Sequence, residues 1–333
     1  GNASFGYFGG GNPGAVSTID RIDYSNDTAT ASVRGPLSVG RNALAATGTQ
    51  DFGYFAGGAP GPYSTVDRID YSNDTATAAV KGPLSDARQN MGTSSSRANA
   101  IPLKGPAVLE VPVSLGAFSA PGPQGFDTGY FAGGKTTSAI STVDRIDYSN
   151  DTATAVTKGP LSAAKAYGGA TGNASFGYFG GTYPSPSTID RIDYGNDTAT
   201  AVVKGPLSAG RYNGAATGNK DFGYWAGGGA STEQSTVDRI DYANDTATAA
   251  VKGPLNEAIK DLKAVSNQSF GYFVGGIASG YSTHVRRIDY SNDTATTAIK
   301  GPLSESRAQN QATGNADFGY VIGRFGTPTG WNT

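Results

Sequence analysis

A single histidine, His284, and no cysteine stand in a chain of 333 residues. A nucleophilic triad of the Ser-His-Asp kind could draw only on His284, and a histidine-based metal site would need carboxylates from elsewhere. Nothing else in the chain marks such a triad. Without cysteine, no disulfide or thiolate metal centre can form. The acidic residues are spaced by a recurring motif and do not cluster. Asp67-Arg68-Ile69-Asp70 carries three charges in four residues, and close copies recur along the chain. On a strand, Arg68 and Asp70 share one face and Asp67 takes the other. Such a motif can line a channel with charge or form repeated ion pairs, and its near-identity between copies favours ion pairs. The last copy reads His284-Val285-Arg286-Arg287, a break that marks a place for local function or a blade junction. The oxygen-rich Asp70-Tyr71-Ser72-Asn73-Asp74 invites a calcium reading, but it lacks the alternating ligands and closing Glu of an EF-hand loop. An Asx-stabilised turn accounts for it better. The Asn-Asp-Thr sequons at Asn26, Asn73, Asn150, Asn196, Asn244 and Asn292 fall in that same turn. The expectation is a protein without catalytic residues, cofactor or metal.

The elements that carry these motifs form a repeated cassette. The Tyr of a Phe-Gly-Tyr element falls at 7, 54, 130, 178, 224, 272 and 320, so the period is 46–48 residues with one gap of 76. The Phe is replaced by Thr128 in the copy at 130. An Ile-Asp-Tyr element ends at Tyr24, Tyr71, Tyr148, Tyr194, Tyr242 and Tyr290. Self-similarity at this period means a stacked or circular array of one unit. Phe52 to Gly57 alternates at strand period, as does Thr65 to Tyr71. Thr75 to Val80 is small and β-branched and makes the return strand; Gly82-Pro83 ends it, because Pro cannot donate to a ladder. Asn42 to Thr47 supplies a fourth strand. Four short strands per 40–50 residues predict a propeller blade. Six copies of the third strand favour six blades, with Gln311 to Asn315 completing the first blade. The seventh Phe-Gly-Tyr, at Phe318, leaves seven blades as the alternative. The chain reads as one domain, 1–333, with an insertion at about 91–127. In it, Lys104-Gly105-Pro106 looks like a second copy of the Lys81-Gly82-Pro83 strand end, or arises by chance in a surface loop.

A strand ending in Gly57-Gly58, then Val66-Asp67-Arg68-Ile69-Asp70-Tyr71, a turn, and Gly82-Pro83-Leu84-Ser85 with Arg88, resembles the kelch repeat of β-propellers. It departs by lacking the Trp after the turn, where Thr77 or Ala79 stands; blade packing then relies on Tyr71 and Phe55. The wording Asp-Arg-Ile-Asp-Tyr-Ser-Asn-Asp-Thr-Ala-Thr-Ala resembles repeats in structural proteins of marine tailed phages, cyanophages in particular, over about 300 residues. That resemblance implies a virion structural or appendage protein, partnered by other virion proteins or by itself. The alternative is a non-viral kelch-type binding module, secreted or at a cell surface. A propeller enzyme is the least supported: a copper oxidase needs a Cys–Tyr crosslink and two His ligands, and sialidase Asp-boxes are missing.

The net charge of −2 is not the basic footprint of a nucleic-acid binder. No apolar run approaches the roughly 18 residues of a membrane span. Residue 1 is a Gly inside a repeat, and the expectation is that residues precede it. The cassettes disagree in two segments, one after Gly-Gly and one after Gly-Pro-Leu. In an antiparallel four-stranded blade both exit on one face, and loops on a rigid scaffold are the usual place for recognition. The expected site residues on that face are Tyr63, Tyr183, Gln234, Tyr281 and His284, meeting a host glycan or a partner protein. Tyr suits recognition because it offers a broad apolar ring and a hydroxyl at low entropic cost.

Overall fold

The structure, a computed structural model, describes residues 5–10, 15–23, 26, 29–30, 32–49, 51–95, 128–183, 187–229, 231–303, 306, 308, 311–314 and 319–322. The first three strands are β1 (Phe5–Gly9), β2 (Ile19–Asp23) and β3 (Ser32–Arg34). Blade one is β4 (Ala45–Gly48), β5 (Phe52–Ala56), β6 (Val66–Asp70) and β7 (Ala79–Lys81). Blade two is β8 (Gly92–Ser95), β9 (Thr128–Ala132), β10 (Val143–Asp147) and β11 (Val156–Lys158). Blade three is β12 (Gly169–Gly172), β13 (Phe176–Gly180), β14 (Ile189–Asp193) and β15 (Val202–Lys204). Blade four is β16 (Ala215–Gly218), β17 (Phe222–Ala226), β18 (Val237–Asp241) and β19 (Ala250–Lys252). Blade five is β20 (Lys263–Ser266), β21 (Phe270–Val274), β22 (Val285–Asp289) and β23 (Ala298–Ile299), followed by β24 (Gln311–Gly314) and β25 (Gly319–Ile322).

The protein is an all-β propeller of four-stranded antiparallel blades, and five such blades are present among the described residues. That corrects the expected count of six or seven. The remaining strands fall into two smaller sheets, β1-β2-β3 and β24-β25. The innermost strands neighbour one another in the order β4, β8, β12, β16, β20, β24, and β24 neighbours β4 in turn. Gly92–Ser95 is a regular inner strand, so the first residues of the expected insertion belong to blade two; 96–127, with Lys104-Gly105-Pro106, lie outside the described residues. So do Phe318 and Asn315.

Each blade is a slab buried on both faces by its neighbours. Tyr54 and Phe55 point to opposite sides of β5, and both are fully buried. The register repeats without slip: Tyr54 faces Arg68, as Tyr178 faces Arg191 and Tyr224 faces Arg239. A one-residue slip would exchange the two buried faces, so the strict period 2 pattern holds the register. The outer strands are two or three residues long and expose Val80, Val203 and Val251; short edges give little purchase for edge-to-edge pairing.

The Ser-Asn-Asp turns are the seams between blades. Asp70 caps a 3-10 turn, Tyr71–Asn73, by accepting from the Ser72 backbone N–H. In blade two the same turn reaches sideways into blade one. Tyr148 stacks on Tyr54 with ring centroids 4.9 Å apart, and its hydroxyl meets Thr47 Oγ1 at 2.9 Å. Tyr130–Tyr194, Tyr178–Tyr242 and Tyr224–Tyr290 repeat that stack. These stacked tyrosine pairs fill the space between adjacent blades. The acidic residue ending each turn clamps the preceding blade. Asp151 accepts from Tyr54 at 2.8 Å and Arg68 at 2.6 Å, and pairs with Lys81 at 3.2 Å. Asp197, Asp245 and Asp293 do the same for the blades before them. The outer strand ends close against this turn: a Cβ at Gly82 would stand 1.8 Å from the Ala153 carbonyl oxygen, so only glycine fits.

Burial alone would push the Asp151 carboxyl up, but Tyr54, Lys81 and Arg68 outweigh it and hold the group below the usual carboxylate range. Asp245 is likewise lowered against burial by Lys204, Tyr178 and Arg191. A depressed folded value contributes stability that is complete above the unfolded value, about 3.9, and is lost as pH falls through the folded value. The melting temperature is therefore expected to stay level from pH 7 to about 5 and to fall below about pH 4. A curve flat down to pH 2 would rule out a role for these clamps in acid stability.

Candidate functional site

The two variable segments are carried on the same face of the disc. Each second strand ends in a Gly-Gly pair that turns the chain over. Gly57 has φ +68, and a Cβ there would lie 2.4 Å from the Arg88 carbonyl oxygen. The loop after Gly-Gly then runs beside the connection between blades. Tyr63 bridges Arg88, Ile140 bridges Lys165, Ala166 bridges Tyr183, Tyr212 bridges Gly229 and Lys260 bridges Ile277. The result is a ribbon of backbone hydrogen bonds around the face, a rigid mount for its side chains.

Buried ion pairs anchor the connections. Arg41 meets Asp67 at 2.7 Å and Arg88 meets Asp144 at 2.8 Å, with all four side chains fully buried. Lys165–Asp190 and Arg211–Asp238 occupy the same positions in blades three and four. The first acidic residue of Asp-Arg-Ile-Asp thus holds the connection entering its own blade, and Ser38, Ser85 and Ser162 hydroxyls donate to it as well. Blade five reverses the pair. Arg286 stands where the acid stands elsewhere, Ile259 takes the place of the connection cation, and Glu257 supplies the negative charge to Arg286. Arg286 also donates to Asn256 Oδ1 at 2.8 Å and to the Gly275 carbonyl at 3.1 Å. Burial pushes Glu257 up, and Arg286 and His284 pull it below its ordinary range. The break in the motif is therefore an exchanged ion pair.

The expected site residues are spread over four blades. Tyr63 is half-buried in blade one, with its N–H on the Gly58 carbonyl. Gln234 is half-buried in blade four, its N–H donating to Gly228 and its carbonyl accepting from Ile259. Tyr281 bridges Ile277 in blade five. His284 is partly exposed, with Nδ1 3.2 Å from Glu257 Oε1, beside the exchanged pair. Tyr183 differs from these: it is 52% exposed and stands at the centre of an aromatic group. Its ring meets Tyr212 edge-on at 5.5 Å and Tyr167 edge-on at 6.3 Å. Tyr167 and Tyr212 come from the connections entering blades three and four, and sequence reasoning did not single them out. Tyr at 167, 183 and 212, all in the variable segments of one pair of cassettes, was the available signal.

At the inner rim, Ala43, Asn90, Tyr167, Asn213 and Asp261 share one repeat offset and all adopt left-handed φ between 52 and 62. Their backbones are chained: Asn90 N–H to Ala43 O at 2.8 Å, Tyr167 to Asn90 at 3.1 Å, Asn213 to Tyr167 at 2.9 Å and Asp261 to Asn213 at 2.7 Å. Non-glycine residues pay for this conformation in strain, and Asn and Asp tolerate it best. These five residues, with Lys263, line a small cavity at the axial mouth. Burial raises Asp261, and Lys263 partly offsets it. Burial in turn lowers Lys263. The Tyr183 group and this polar rim meet at Tyr167, so planar polar groups adjoin an exposed aromatic platform. Among the described residues, no group of three His, Cys, Asp or Glu side chains is placed to hold a metal ion. No helix among them is long and apolar enough to cross a membrane. Comparison with protein-family models and with curated proteins finds no match.

Proposed function

We propose that the protein is a recognition scaffold whose loop face binds carbohydrate, with Tyr183, Tyr167 and Tyr212 as the docking platform. The observation that carries this is the exposed Tyr183 ring held edge-on by two further tyrosines on a backbone-bonded mount. A sugar ring lays its apolar C–H face on an aromatic ring and turns its hydroxyls toward planar polar groups, here Asn90, Asn213 and Asp261 at the adjoining rim. The near-neutral net charge means that contact, and not long-range attraction, drives binding. The reading needs no catalytic group and no cofactor. It takes the disc as kelch-like, with β24 and β1–β3 together closing the ring of five complete blades; the place of β24 between β20 and β4 supports that closure. The likeness of the cassette to marine phage structural proteins supports placing the scaffold on a virion, facing a host surface glycan.

Replacing Tyr167, Tyr183 and Tyr212 together by Ser is expected to cut binding on a glycan array, or to host cells, at least tenfold. Thermal unfolding of the Tyr183→Ser single variant is expected to shift by less than about 2 °C, since an exposed side chain contributes little to stability. Normal binding by the triple variant, with loss on changing Ser72, Asn73 and their equivalents, would move the site to the opposite face.

A further inference from the structure

The strand set contains one strand more than the closing blade can hold. In every complete blade the second strand pairs on one side with the inner strand and on the other with the third, as β5 does with β4 and β6. Next to β2, that position is taken by β1, in the register Tyr7↔Arg21 that matches Tyr54↔Arg68. Next to β24, it is taken by β25, in the register Thr313↔Tyr320 that matches Thr47↔Tyr54. β1 and β25 both lie against β24, β25 also lies against β2, and the two lie against each other. Each strand thus has half of the pairing that a second strand requires. A single position between an inner and a third strand, 4.7–4.9 Å from each, admits one chain.

Resting on the ring closure proposed above, we propose that β1 and β25 are alternative occupants of one position and that β1 wins it. The demands of the position favour β1. Where Phe55, Phe131, Phe179, Trp225 and Phe273 are buried in the complete blades, β1 has Phe8 and β25 has Val321. At the next residue the complete blades carry Ala56, Ala132, Gly180, Ala226 and Val274; β1 has Gly9 there, whereas β25 has Ile322, larger than any of them. Two residues further the equivalents Gly58, Gly134, Gly228 and Gly276 in four blades have positive φ, and at that sequence offset the chain has Gly11 after β1 and Arg324 after β25. Phe8 keeps the large ring and Gly9 the small residue of these two positions, whereas Val321 and Ile322 keep neither size.

The chain has no cysteine, so engineered pairs report cleanly. Directly opposed residues on antiparallel strands have Cα atoms about 4.5–5.5 Å apart, within disulfide range. Ala312 faces Val321 in β25, and by the register of Ala46 with Phe55 it faces Phe8 when β1 is in place. The pair Phe8→Cys with Ala312→Cys is expected to crosslink under mild oxidation at least about fivefold faster than Ala312→Cys with Val321→Cys. A second measurement avoids the truncated core ring: deleting residues 315–333 is expected to leave the melting temperature within about 2 °C, and deleting residues 1–10 to lower it by more than about 5 °C. A faster Val321 crosslink, or equal losses from the two deletions, would overturn the assignment of β1. No crosslink in either pair would sink the proposed ring closure itself, whatever the glycan result.

Discussion

Asp144→Asn is expected to destabilise the disc by about 3–5 kcal/mol, among the largest effects of any single substitution. Asp144 and Arg88 are fully buried and 2.8 Å apart. The Arg88 guanidinium also donates to the Thr142 and Phe131 carbonyls, so it stays in place when the carboxylate charge is removed. An uncompensated buried cation is what the substitution leaves behind. Ser85 loses its charged acceptor in the same step. Replacing both partners with apolar residues, Arg88→Met with Asp144→Leu, is expected to recover most of the loss, because the desolvation of two ions disappears with them. Glu257→Gln in blade five is expected to cost less. Glu257 is one-third exposed, and Arg286 keeps Asn256 and the Gly275 carbonyl. Denaturant midpoints read all of these variants. A loss under about 1 kcal/mol for Asp144→Asn would show that water reaches Arg88, and that the pair is not the anchor described above.

Tyr224→Ala is expected to cost about 3–5 kcal/mol, the range for a buried aromatic truncation. Tyr224 is fully buried, stacks on Tyr290 at 4.8 Å and donates to Asp293 at 3.0 Å. The truncation opens the seam between blades four and five on both counts. Tyr224→Phe separates the two contributions. It keeps the stack and removes one donor from a carboxylate that retains Arg239 and Lys252, so about 1 kcal/mol is expected. Phe273→Ala, on the opposite face of the neighbouring second strand, is expected to match the Tyr224→Ala loss. If Tyr224→Ala and Phe273→Ala each shift stability by less than about 1 kcal/mol, the seam is not held by these rings.

The period of the cassette and its four strands were legible in the chain. Alternation at period 2 leaves one way to bury both faces of each strand, so Tyr54 and Phe55 read as blade core before any coordinates. The single face for the two variable segments followed from antiparallel order alone. The Asx reading of Asp70 was also local, since its carboxylate bonds two residues along the same chain. What the chain could not disclose are the partners brought together across blades. Asp151 reads as one more turn residue, yet its clamp on Tyr54 lies 97 residues away in sequence. The break at Arg286 read as a place for local function or a blade junction, and Glu257 and Ile259 show it to be an exchanged pair. Tyr167, Tyr183 and Tyr212 sit in three different segments, and only the curvature of the array brings their rings within 5.5–6.3 Å. Blade number escaped for the same reason: counting motifs gives the strands, but only pairing groups them, and it groups them into five complete blades among the described residues. Local pattern determines which face each residue turns inward, and closure of the ring determines what that face meets.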